Sequence, residues 1–181
     1  MKKIGISGNI ASGKSTVENI IASSGYKVVD LDIVSHKLLD TVCKDEVLTA
    51  FNTTDRKKLA GIVFKDKTEL KKLEDIIYPK LKRYVLGYFE QYEKEEMVFI
   101  SGALIFEAGF SELFDKIIFV DCDKETRLER LMKRNSMDIK SAKIRIEAQN
   151  DNYKNYADFI IENNSDIECL KEKVFEVLKQ L

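Results

Sequence analysis

The chain has 181 residues, of which 34% are charged and 44% are hydrophobic. A chain of this length typically forms one globular domain with room for small lobes, and it buries roughly two thirds of its unfolded surface. The 30 lysines and arginines nearly balance the 31 aspartates and glutamates, so the net charge of −1 excludes a general attraction to nucleic acid or anionic membranes.

The three cysteines, Cys43, Cys122 and Cys169, are widely spaced and form no Cys-x-x-Cys pair. This pattern disfavours a disulfide framework or a zinc site, and it is typical of proteins from a reducing compartment. No apolar run approaches the roughly 20 residues that cross a bilayer. We therefore expect a cytoplasmic protein that has neither a membrane nor a nucleic-acid partner.

Short apolar segments alternate with helical ones along the chain. The pattern predicts strands at residues 2–7, 26–30, 97–100, 116–120 and 159–161. It predicts helices over residues 14–24, 124–135, 138–150 and 167–181. Residues 33–96 are also predicted to be helical, with a helix end at Tyr78 because Pro79 follows. Continuous apolar strands separated by helices predict an α/β fold whose parallel sheet has helices on both faces.

The segment between the first predicted strand and helix contains the most specific motif. Residues 8–15 read Gly-Asn-Ile-Ala-Ser-Gly-Lys-Ser and match the P-loop pattern G-x-x-x-x-G-K-[ST]. In this motif Lys14 reaches the β- and γ-phosphates of a nucleoside triphosphate, and the Ser15 hydroxyl binds Mg²⁺. We therefore predict that ATP is bound by Gly8, Ala11, Ser12, Gly13, Lys14, Ser15 and Thr16.

The P-loop by itself does not distinguish kinases from GTPases, motor ATPases or nucleotide-regulated binding proteins. The sequence lacks the NKxD motif of GTPases. A motor ATPase normally has an apolar strand that ends in Asp, whereas the third predicted strand is followed by Ser101-Gly102. The fourth predicted strand does end in Asp121. However, Asp121-Cys122-Asp123 precedes a helix, and we favour a helix-capping role for this segment over metal binding.

Asp30 and Asp32 lie at the end of the second predicted strand. The two-residue period of a strand sends both carboxylates to one side, and ligands of such sheets bind beyond the carboxyl ends of the strands. One of the two is expected to cap the following helix. The other could accept a proton from an attacking hydroxyl or help to hold Mg²⁺.

The predicted helix 124–135 has basic residues at helical spacing, namely Arg127, Arg130, Lys133 and Arg134. For most of them we favour a solvated helix face paired with Glu125 and Glu129. Phosphoryl transfer nevertheless requires cations over the γ-phosphate, often from a mobile lid. Arg130 and Arg134 are four residues apart on one face and are the candidates for this role.

The order of these features resembles that of the dephospho-coenzyme A kinase family over nearly the whole chain. The segments that carry the resemblance are 4–16, 28–32, 55–64, 104–107, 130–149 and 157–163. Three positions depart from the family pattern, because Tyr78 replaces a usual His, Ala103 a Pro and Asn135 an Asp.

The resemblance implies ATP-dependent phosphorylation of the 3′-hydroxyl of dephospho-coenzyme A, the last step of coenzyme A synthesis. It also implies a P-loop NTPase fold with a core of residues 1–32, 97–126 and 156–181, a helical substrate lobe at 33–96 and a helical lid at 127–155. The protein would act on a small molecule as a monomer or weak homo-oligomer. A kinase for a nucleoside monophosphate or another metabolite, and an ATP-binding regulator without transfer activity, remain alternatives.

The resemblance further implies roles for individual residues. The catalytic residues would be Lys14, Asp32 and Arg134, with Asp32 as the base. Three residues outside the P-loop would contact ATP, namely Arg130, Arg134 and Asn163. The residues that contact the second substrate would be Asp32, Arg56, Tyr78, Leu104 and Arg145.

Overall fold

The computed structural model describes residues 1–135 and 138–181 and contains a five-stranded sheet. The strands are β1 (Lys2–Gly8), β2 (Lys27–Asp30), β3 (Met97–Ser101), β4 (Lys116–Asp121) and β5 (Phe159–Glu162). Their order in the sheet is β2-β3-β1-β4-β5, and β1 pairs in parallel with both β3 and β4, as β4 does with β5. The predicted α/β class and parallel five-stranded sheet are confirmed.

The α-helices within the described residues follow the predicted pattern closely. They are α1 (Lys14–Ser23), α2 (Leu31–Asp40), α3 (Lys44–Phe51), α4 (Arg56–Val63), α5 (Lys67–Gln91), α6 (Lys124–Asn135), α7 (Ile139–Glu147) and α8 (Ile167–Gln180). Two short 3₁₀ segments cover Ser111–Leu113 and Asp151–Tyr156. None of the helices in the described ranges is long and apolar enough to cross a bilayer.

The chain divides into two compact units. One comprises Met1–Val29 together with Lys94–Leu181, and the other is the helical segment Asp30–Glu93. The first unit has its core where the central strands pack against α1 and α8. This core consists mainly of β-branched and aromatic side chains, including Ile4, Ile6, Val17, Ile21, Phe99, Ile118, Leu170 and Val174.

The strand register brings the carboxyl ends of the central strands to one edge of the sheet. Ile6 of β1 is aligned with Ser101 of β3, and Gly8 is aligned with Val120 of β4. All residues of β3 are buried, which is why this strand is continuously apolar up to Ser101. The P-loop leaves β1 at this edge, so residues that follow β3, β4 and β5 can reach it.

The predicted helix end at Tyr78 is wrong. Helix α5 continues through Pro79 for twelve further residues, to Gln91. Its buried side chains lie on both sides of the proline, at Ile77, Leu81, Val85, Tyr88 and Phe89. Burial of this apolar face outweighs the hydrogen bond that Pro79 cannot donate.

We expect Pro79→Ala to stabilise the protein. The substitution restores the backbone donor to the Asp75 carbonyl and removes the ring clash, which together cost about 3 kcal/mol in a helix interior. Alanine gives the unfolded chain more conformational freedom than proline does, and this offsets about 1 kcal/mol of the gain in stability. Urea unfolding followed by circular dichroism should show a gain of about 1–2 kcal/mol in the free energy of unfolding. The exposed Lys82→Ala on the same helix is the control, and equal values for the two variants would contradict the prediction.

Candidate active site

The P-loop connects β1 to α1 through a backbone that curls around the start of the helix. Ala11 and Gly13 both have left-handed backbone angles, with φ of 61° and 98°. Such residues alternate with right-handed ones to form a concave nest of N–H groups that binds anions. Gly13 is the N-cap of α1 and has no side chain that could accept from the first-turn N–H groups. Because these donors and the positive end of the helix dipole point the same way, they favour a bound phosphate.

Two glycines of the loop are required by close packing. A Cβ atom at Gly8 would lie 2.7 Å from the Val120 carbonyl oxygen and 2.9 Å from the Ser12 Oγ. A Cβ atom at Gly13 would overlap the side-chain amide of Asn163. The buried Ser12 hydroxyl has no hydrogen-bond partner among the residues that the structure describes, as expected for a loop that is completed by a phosphate.

Residues far along the chain hold the loop from outside. Asn163 follows β5, and its side-chain Nδ2 donates to the Ser12 carbonyl at 2.7 Å. Arg130 Nη1 approaches the same carbonyl at 3.4 Å. The Ile10 N–H donates to Gln149 Oε1 at 2.6 Å. The structure therefore brings the predicted Arg130 and Asn163 to the P-loop and adds Gln149, which the resemblance had placed only in the lid segment.

A small apolar cluster reinforces these polar contacts. Leu131 of α6 packs with Ala142 and Ile146 of α7, and the P-loop residues Ile10 and Ala11 lie against them. These helices follow β4 in the chain and contact the loop through apolar side chains as well as hydrogen bonds. The apolar contacts have no directional requirement, whereas the hydrogen bonds fix where each loop residue lies.

Arg127 is not part of a solvated helix face, and that prediction is wrong for this residue. Its side chain is buried, with only 1% of the residue exposed, and Nη2 donates to Asp151 Oδ1 at 3.1 Å. The same Asp151 oxygen accepts from Asn9 Nδ2 at 2.7 Å, and Lys124 Nζ lies 2.9 Å from Oδ2. Burial alone would raise the pKa of Asp151, but Lys124 and Arg127 hold that pKa below its ordinary value. The network fixes the start of the P-loop from behind.

The P-loop lysine lies in a buried polar group that the sequence prediction did not include. Lys14 Nζ is 3.1 Å from Glu18 Oε1, and the side chains of both residues are almost entirely buried. The Ser101 hydroxyl, at the end of β3, donates to the same Glu18 oxygen at 2.7 Å. The spacing of four residues between Lys14 and Glu18 on a predicted helix was the available signal.

The helical unit contains the two aspartates of the predicted Asp-x-Asp. Asp30 is the N-cap of α2, and its carboxylate accepts the Asp32 N–H at 2.7 Å. The prediction that one of the pair caps the helix is confirmed, and Asp30 has that role. Asp32 is half-buried in the first turn of α2.

The predicted substrate residues are spread over both units. Arg56 forms an ion pair with Asp40 of α2, and the Tyr78 hydroxyl lies 3.1 Å from Glu74 Oε1, so both are positioned by neighbours within the helical unit. Leu104 is half-buried in the turn after β3. Arg134 of α6 and Arg145 of α7 are exposed, as a residue that meets a ligand at the surface must be.

Asp121 is the first residue of the segment for which a helix-capping role is predicted, and its carboxylate has other partners. Helix α6 begins at Lys124, three residues later. The Asp121 carboxylate instead accepts the Cys122 N–H at 2.9 Å and pairs with Lys154 at 2.9 Å. This ion pair raises the pKa of Lys154. Asp121 thereby ties the 3₁₀ segment Asp151–Tyr156 to the end of β4.

In this structure, strand β1 of a parallel sheet is followed by an anion-binding loop and then by helix α1. This arrangement defines a P-loop nucleoside-triphosphate-binding protein. Comparison with known proteins narrows the class. The model of the dephospho-CoA kinase family matches residues 2–168, and the chain belongs to that family.

Individual relatives agree with this assignment. A dephospho-CoA kinase of Listeria monocytogenes is 38% identical, over 99% of this chain and 96% of its own length. The crystal structure of TT1252 from Thermus thermophilus superposes with a TM-score of 0.87 at 31% identity, covering 99% of this chain and 97% of that one. A dephospho-CoA kinase structure from Campylobacter jejuni has a TM-score of 0.71 at 30% identity, covering 98% and 96%.

We expect Gly13→Ala to weaken ATP binding at least about tenfold more than Gly25→Ala does, because a displaced Asn163 can no longer hold the Ser12 carbonyl. Gly25 also has a left-handed backbone, with φ of 93°, but a Cβ atom there would meet nothing within 4 Å. Both variants therefore share the backbone strain, and only Gly13→Ala adds the overlap. Calorimetric titration of ATP into each variant gives the two dissociation constants. Equal affinities for ATP would contradict the geometry described for the loop.

Proposed function

We propose that this chain transfers the γ-phosphoryl group of ATP to the 3′-hydroxyl of dephospho-coenzyme A, giving coenzyme A and ADP as the last step of coenzyme A biosynthesis. One observation carries the proposal. The chain matches the dephospho-CoA kinase family over residues 2–168 and retains the left-handed phosphate nest at Ala11 and Gly13. The near-neutral charge agrees with a small-molecule substrate, and we expect a cytoplasmic monomer or weak homo-oligomer.

The nest and Lys14 would bind the triphosphate. Backbone N–H groups of Gly13, Lys14 and Ser15 would donate to the phosphates, and Thr16 would donate to the α-phosphate. Lys14 would leave Glu18 and neutralise charge that moves onto the β- and γ-oxygens during transfer. Arg130 and Asn163, which already hold the Ser12 carbonyl, would keep the loop in the binding conformation.

The residues at the start of α1 fit a magnesium ion. The Ser15 residue is exposed beside the nest, and a serine hydroxyl at this position of the motif is an Mg²⁺ ligand. Ser15 would help to hold the ion, which would supply positive charge beside the phosphates. Ser15 therefore has the place, the exposure and the chemistry that such an ion requires.

Asp32 would accept the proton of the ribose 3′-hydroxyl or orient that hydroxyl for in-line attack. Asp30 caps α2, so the two carboxylates have different tasks. The acceptor substrate would also contact Arg56, Tyr78, Leu104 and Arg145. Arg134, with Arg145, would close over the transferring group and exclude water, which otherwise competes as an acceptor.

A coupled assay of ADP release tests the proposed reaction. We expect turnover with dephospho-coenzyme A and none above background with AMP, CMP or dTMP as acceptors. Turnover with a nucleoside monophosphate alone would make the chain a different kinase. ATP binding without ADP formation from any of these acceptors would make it a nucleotide-binding regulator.

We expect Asp32→Asn to lower kcat by about 10²-fold or more, because a positioned general base contributes about 10²–10⁴-fold. Asp30→Asn should have a much smaller effect, since asparagine also caps helices well. Each variant should retain ATP affinity, because neither residue belongs to the phosphate nest. Similar, mild losses of kcat in the two variants would contradict the assignment of Asp32.

For the lid, we expect Arg134→Ala to lower kcat about tenfold or more, because a cation over the γ-phosphate stabilises the transition state. The neighbouring Lys133 is also exposed on α6, so Lys133→Ala is the matched control and should change kcat little. Steady-state kinetics with dephospho-coenzyme A and ATP provide the comparison. An equal decrease in both variants would indicate a general effect of charge on the helix.

A further inference from the structure

Strand β3, which lies beside β1, ends in a serine at a place where P-loop NTPases commonly have a carboxylate. In P-loop NTPases Mg²⁺ is held by the loop Ser or Thr and by an Asp at the end of a neighbouring strand. Here β3 pairs with β1 so that Ile6 lies beside Ser101, and the strand ends at that serine, followed by Gly102. Ser101 cannot supply the negative charge that a divalent cation requires.

A carboxylate reaches the same place from a different element. Glu18 projects from the second turn of α1, and its Oε1 accepts the Ser101 hydroxyl at 2.7 Å. Ser101 is fully buried, and only 11% of the Glu18 side chain is exposed. Ser15, the proposed magnesium ligand, and Glu18 are three residues apart on α1 and are therefore neighbours on the helix surface.

Burying a carboxylate beside a polyphosphate site is costly unless a cation compensates its charge. In the structure, Lys14 lies 3.1 Å from Glu18 and provides that compensation. When Lys14 turns to the β- and γ-phosphates, Glu18 loses this partner and lies close to added negative charge. A divalent cation at Ser15 would replace the lysine charge and remove the repulsion.

We propose that Glu18, oriented by the Ser101 hydroxyl, supplies the carboxylate that completes the Mg²⁺ site at Ser15. The inference rests on the Mg²⁺-dependent ATP binding proposed above. Glu18 belongs to α1 itself, so the acidic group and the metal-binding serine are positioned by one helix instead of by two separate strands. The role of Ser101 is to hold the carboxylate in place.

The proposal predicts a specific change in how Mg²⁺ affects nucleotide affinity. The probe is a non-hydrolysable ATP analogue titrated calorimetrically into the full chain, once with excess MgCl₂ and once with EDTA. In the wild type, Mg²⁺ should tighten binding. In Glu18→Gln, this Mg²⁺-dependent gain should fall by about tenfold or more, the usual loss when a supporting carboxylate is removed from a metal site. The EDTA affinity should stay equal or increase, because the repelling charge is gone.

Two further variants test the placement of the carboxylate. Glu172→Gln removes an exposed carboxylate from α8 and should leave both affinities unchanged. Adding Ser101→Asp to Glu18→Gln returns a carboxylate to the strand end and should recover most of the Mg²⁺-dependent gain. If Glu18→Gln does not fold, as judged by its thermal unfolding, Ser101→Ala replaces it and should show a smaller loss confined to the Mg²⁺ titration.

The outcomes separate this inference from the proposed function. If the nucleotide affinity of the wild type does not depend on Mg²⁺, the proposed Mg²⁺-ATP binding is overturned, and with it the role of Glu18. If Mg²⁺ clearly increases the nucleotide affinity of the wild type and increases that of Glu18→Gln equally, only the role of Glu18 is overturned. An equal change in both titrations would assign Glu18 only to holding Lys14, and would also overturn the proposal.

Discussion

The backbone of the P-loop is the constraint on which the rest of the site depends. Ala11 and Gly13 must adopt left-handed angles to turn N–H groups toward a phosphate, and a residue with a Cβ adopts such angles at a cost of about 1–2 kcal/mol. A loop of this kind does not persist unless its surroundings compensate for the strain. The strand register provides the surroundings, because it ends β1, β3 and β4 at the same edge of the sheet.

Three later segments of the chain then meet the loop at that edge. Asn163 after β5 holds the Ser12 carbonyl, Gln149 after α7 accepts the Ile10 N–H, and Asp151 accepts from Asn9. Buried Arg127 supports Asp151 from behind. Residues of the segment 127–151 therefore have a structural task at the loop.

Charge in the first turn and a half of α1 links this architecture to the reaction. Lys14, Glu18 and Ser101 form one buried polar group in which the lysine compensates the charge of the glutamate. In the proposed ATP complex, Lys14 would turn to the phosphates, and Glu18 would then require another cation. The proposals thereby couple ATP binding, which would use Lys14, to Mg²⁺ binding, which would use Glu18.

The sequence by itself determined the order of strands and helices, the P-loop and the capping role within Asp30–Asp32, because periodicity, glycine spacing and capping are local properties. It did not predict that Arg127 is buried, because tertiary packing decides whether an arginine is solvated. It also predicted a helix end at Tyr78, whereas burial of the apolar face lets the helix continue through Pro79. The four-residue spacing of Lys14 and Glu18 is visible in the sequence, but the position of Glu18 beside Ser101 is visible only in three dimensions. Its partner Ser101 lies 83 residues away, and only the β1–β3 pairing brings that serine beside the P-loop lysine.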